Sequence, residues 1–79
     1  MRELDKVVNH INNEIFYIDM RTEAIENRIQ TISDKAATTD NGTTVAEERM
    51  LAKLRNTLRR LFDKKEDLMK SLEILHKYV

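Results

Sequence analysis

Residues 36–47 read AATTDNGTTVAE, and this polar stretch decides how the chain folds. It holds the only glycine among 79 residues, and the chain has no proline. Asn41-Gly42 supplies residue types that tolerate positive φ, so the backbone can reverse direction there. Thr44 followed by Glu47 has the spacing of a capping box, in which each side chain bonds the other residue's backbone N–H at a helix start. The reading predicts a helix over 2–36, a loop over 37–44 and a second helix over 45–78. Each helix is about 50 Å long at 1.5 Å per residue.

On both sides of this stretch the apolar residues recur every seven positions. Leu4, Ile11, Ile18, Ile25 and Ile32 form one series. Met1, Val8, Ile15, Thr22, Ile29 and Ala36 form a second, broken only at Thr22. The spacing alternates three and four, as in a coiled coil, with the second series at a and the first at d. The second half uses leucine: Leu51, Leu58, Lys65, Leu72 and Val79 at a, and Leu54, Leu61, Leu68 and Leu75 at d, with Glu47 one turn earlier. A seven-residue period kept this long implies a left-handed supercoil.

Folding the chain back on itself aligns both seams in a single register, in which paired residue numbers sum to 83. Leu4 then meets Val79, Val8 meets Leu75, Ile11 meets Leu72 and Ile15 meets Leu68. Ile18 meets Lys65, Thr22 meets Leu61, Ile25 meets Leu58, Ile29 meets Leu54 and Ile32 meets Leu51. The midpoint of that register falls at Asn41-Gly42, which the turn chemistry picks out independently. The expected fold is all-α: one domain over 1–79, an antiparallel two-helix coiled-coil hairpin that dimerises into a four-helix bundle. The competing arrangement is a pair of unbroken helices in an extended oligomer, which a polar central loop disfavours.

The two flanks of the hairpin differ in chemistry. At the e positions Asp19 is opposite Phe62, Asn12 opposite Met69 and Asp5 opposite His76. Phe16, at b on the first helix, projects on the same side, so Phe16, Phe62 and Met69 make an apolar patch outside the seam. Two helices bury little core, so a self-association face is expected on energetic grounds. Tyr17 and Met20 point outward with His10, Asn13 and Ala24, a second candidate protein contact. Thr22 and Lys65 are the polar residues in adjacent middle layers, and such residues set register and oligomer state at some cost in stability. Lys65 has no acid partner in this wheel, and its stem is expected to snorkel.

The g flank is basic, with Arg21, Arg28, Lys35 and Lys64, and Lys53 and Arg60 at neighbouring c positions. Arg21 opposite Lys64 sets like charges together, which invites an anion or a partner's carboxylate. Residues 1–40 carry five basic and eight acidic side chains, net −3, and residues 41–79 carry nine and six, net +3. The formal net charge is therefore zero. Arg21, Arg28, Lys53, Arg60 and Lys64 form a possible footprint for nucleic acid or an acidic partner. Overall neutrality argues against strong non-specific DNA binding.

Composition excludes several classes. With no cysteine there is no disulfide framework and no thiolate metal site, which fits a reducing, cytoplasmic setting. The longest apolar runs are short, and the start MRELDKVV has no apolar core of a secretory leader, so no membrane contact is expected. His10 and His76 lie on different flanks without a Glu-x-x-His spacing, and no phosphate loop or Ser–His constellation occurs. A two-helix rod offers no evident pocket. No catalytic residue, cofactor or metal is expected. The expectation is a non-enzymatic protein–protein interaction module, a small regulator, inhibitor or assembly factor. The alternatives are a nucleic-acid-binding regulator and a structural subunit of a larger assembly.

Overall fold

The structure, a computed structural model, describes residues 2–39 and 42–78. Two helices, α1 (Arg2–Ala37) and α2 (Val45–His76), pack against each other as a hairpin, with no strand among the described residues. The rod measures 60 × 15 × 15 Å. Met1, Asp40, Asn41 and Val79 lie outside the described residues, so the Leu4–Val79 layer and the Asn41 half of the turn are not described.

The burial pattern is the seven-residue pattern. Every described a and d residue, from Leu4 to Ala36 and from Glu47 to Leu75, is buried or half-buried. Ile11, Ile18, Leu51 and Leu61 are the most enclosed, with Ile18 only 4% exposed. The second helix stops slightly short of the expected boundary. The Lys77 N–H bonds Ile74 O and the Tyr78 N–H bonds Leu75 O, both from three residues back, which tightens the end into a turn.

Threonine chemistry shapes the connection. The Thr38 N–H and hydroxyl both donate to Lys35 O, at 3.2 and 2.9 Å, which satisfies a carbonyl at the end of α1. Gly42 carries the positive φ, 67°, and its N–H returns to Thr39 O at 3.3 Å. The capping box forms as the spacing predicts. The Glu47 N–H donates to the Thr44 hydroxyl oxygen at 3.1 Å, and the Thr44 N–H donates to Glu47 Oε1 at 3.0 Å.

That second bond holds the Glu47 carboxyl below its usual pKa of 4.5, with smaller help from the Thr44 hydroxyl and the Lys35 charge. Because the folded value is depressed, the stabilisation is fully present above pH 4.5 and is lost as pH falls through the folded value. Thr44→Ala is therefore expected to cost about 1 kcal/mol at neutral pH. In thermal melts followed across acid pH, Glu47→Gln should remove part of the destabilisation seen below pH 4.5. Equal pH profiles for Glu47→Gln and the parent would contradict this role.

Candidate interaction surface

The e flank forms a groove of about 350 Å³ between the helices. Ile18 and Thr22 of α1 line one side, with Phe62 and Met69 of α2 opposite. The heptad explains this placement. Ile18 and Thr22 are seam residues seen from their flank, while Phe62 and Met69, at e, stand beside the seam rather than in it. Phe62 is 62% exposed and Met69 53% exposed, a large uncovered area for two apolar side chains.

Lys65 and Asp19 also line this groove, and Lys65 Nζ lies 2.6 Å from Asp19 Oδ1. The structure corrects the expectation of a Lys65 without an acid partner and of a rod without a concavity. A lysine Cβ at a starts in the seam, but its four-carbon stem carries the ammonium out to the facing helix's e position. Asp19 waits there, one residue along from Ile18, the layer partner of Lys65. Both ends remain partly in water, with side chains 34% and 51% exposed, so in one hairpin this is a modest interaction. Thr22 is half-buried in the adjacent layer.

Phe16 is exposed and does not line the groove. Its ring meets the neighbouring Tyr17 edge-on, with centroids 6.3 Å apart and planes at 66°. This contact links Phe16 to the outer candidate Tyr17, and Met20 is likewise exposed on α1. The described apolar surface thus comprises the Phe62–Met69 groove and, separately, the Phe16–Tyr17 aromatic pair.

The g flank differs from its wheel. Lys64 reaches Glu14, with Nζ 3.7 Å from the carboxylate, and Glu14 also lies 3.7 Å from His10 Nε2 on the preceding turn. The carboxylate that the Arg21–Lys64 opposition invites is thus present within the chain. Wheel pairing is set by Cβ positions, whereas the extended lysine spans more than a turn along the rod. Arg21, Arg28, Lys53 and Arg60 are exposed and make no salt bridge among the described residues.

Two further features bear on chemistry. Among the described residues, no group of three or more His, Asp or Glu side chains could hold a metal ion. No helix among them is long and apolar enough to cross a membrane. The class defined by fold and surface is an all-helical hairpin with an apolar groove on one flank and exposed basic residues on the other. Comparisons with protein-family models, curated proteins and solved structures find no match.

Proposed function

We propose that the chain is a non-enzymatic protein–protein interaction module that works as a homodimer of hairpins and docks on a protein partner through its helical faces. A small regulator, inhibitor or assembly factor has this form. The observation that carries the reading is uncovered surface. The hairpin exposes 6689 Å². A compact monomer of 9.4 kDa would expose about 5000 Å². The excess, doubled for two chains, is on the order of 3000 Å², within the roughly 2000–5000 Å² range of obligate dimer interfaces. The apolar side chains that such an interface needs stand at the groove.

Phe62, Met69 and Phe16 are the residues assigned to the interface, with Tyr17 and Met20 extending it. The Asp19–Lys65 pair acts with Thr22 to hold register. A hairpin slipped by a heptad toward the start of α1 would exchange Asp19 for Asn12 beside Lys65 and leave the charge unpaired, whereas the opposite slip would offer it Glu26. The groove holds one lysine and two carboxylates, Asp19 and Glu66, of which Asp19 is paired with the lysine, and this is not the convergent set of groups that catalysis requires.

The exposed Arg21, Arg28, Lys53 and Arg60 favour a second reading, a nucleic-acid-binding regulator. The two readings respond oppositely to salt. Apolar association should weaken by no more than about tenfold between roughly 0.05 and 0.5 M salt, whereas binding through many phosphates weakens by several orders of magnitude. Arg21→Glu combined with Lys64→Glu should leave self-association, read by light scattering, within the same range. Salt-steep binding of an RNA or DNA oligonucleotide that this double variant abolishes would replace the first reading with the second.

A further inference from the structure

We infer that two copies of the hairpin pack e flank to e flank with their two-fold axis along the rods, so that both loops lie at the same end and α1 of each copy lies on α2 of the other. The inference rests on the self-association proposed above and specifies its geometry.

The argument is one of heights along the rod. In the register whose pairs sum to 83, each residue of α1 is level with the residue of α2 that completes the sum. The 2.6 Å contact of Asp19 with Lys65 fits this register, as does the hollow near the loop that Ala36 and Glu47 line together. An axis along the rods keeps every residue at its height and moves it to the opposite helix of the second copy.

The charges on the e and b positions then complement one another. Glu23 falls within one residue of the level of Arg59 in the second copy, and Glu26 within two residues of Arg55. Asp5 falls within two residues of His76. Phe16 comes over the stretch between Phe62 and Met69 of the second copy, where the groove lies open. Glu66 and Glu73 of the second copy fall within one residue of the levels of Phe16 and Asn9. The acids Glu23 and Glu26 of α1 thus face Arg59 and Arg55, the two arginines on the e and b positions of α2.

The other two-fold arrangement crosses the rods and puts the loops at opposite ends. Centred on the same apolar patch, it lays the acidic face of α1 on its own copy and brings Glu66 onto Glu66, with Arg59 against Glu73 as the offsetting pair. Like charges facing across an interface suppress an arrangement, which leaves the axis along the rods.

The chain has no cysteine, so a single label site can be introduced. Ala46 is exposed, near the loop end of α2 and away from the e flank. Ala46→Cys carrying a nitroxide, measured by pulsed dipolar EPR, should give an inter-label distance below about 40 Å, because helices pack about 8–10 Å apart. A distance near the 60 Å rod length would overturn the inference while leaving self-association standing. Absence of dipolar coupling at concentrations where the helices are folded would overturn both.

Charge exchange gives an independent readout. Glu23→Arg and Arg59→Glu should each weaken association about threefold to tenfold, since each change alters two exposed pairs per dimer. The two changes combined in one chain should restore most of the loss. Additive weakening in the combined variant would contradict the pairing of Glu23 with Arg59.

Discussion

Phe62→Asp is expected to leave the chain monomeric. Within one hairpin the phenyl ring is 62% exposed, so its replacement removes little of the chain's own core. At the proposed interface each dimer loses two such rings, at about 1.5–3 kcal/mol each. That corresponds to roughly a hundredfold to ten-thousandfold weaker association, before the cost of bringing a new carboxylate to an apolar surface. Because the ring stands on the flank, the loss should appear in the dissociation constant first, and in helix content only where folding depends on the second copy. Circular dichroism over a concentration series separates these effects. A variant that dimerises as tightly as the parent would remove Phe62 from the interface.

Ile18→Ala should produce the largest loss of stability. Ile18 is the most enclosed side chain of α1. Truncating a buried isoleucine to alanine costs about 2–5 kcal/mol, because the lost burial is joined by an imperfectly filled space. For a chain of this size that is a large share of a total stability of about 4–12 kcal/mol. At about 4–8 °C per kcal/mol, the melting temperature should fall by at least about 10 °C. Ile18 also lines the groove beside the Asp19–Lys65 pair, so its truncation opens that pair to water. Ile74→Ala is the matched control, since Ile74 is exposed on α2 and should melt within a few degrees of the parent. Equal losses at the two positions would mean that the seam is not the core.

Most of the fold could be read from spacing. The seven-residue series marks the residues that are buried, and the Thr44–Glu47 pair marks the start of α2, because both are local and periodic properties of the chain. The contacts made by long side chains could not be read in this way. The helical wheel places Lys65 against Ile18, yet its ammonium sits on Asp19. It places Lys64 against Arg21, yet Lys64 reaches Glu14. A wheel records where Cβ atoms start, and a lysine ends about 6 Å further on. The usable signal was an acid at e of α1 next to the seam position opposite an a-position lysine. Phe16 shows the same limit from the other side: its height matches Phe62 and Met69, but its ring turns to Tyr17 rather than into the groove.

The central claim is that a hairpin with so thin a core functions as half of a larger body. Sedimentation equilibrium of the unmodified chain tests it most directly. The predicted result is a single species of twice 9.4 kDa that dissociates on dilution and persists as salt is raised. A mass of one chain up to about 100 µM, with helix content intact, would correspond to a dissociation constant too weak for this interface and would contradict the claim.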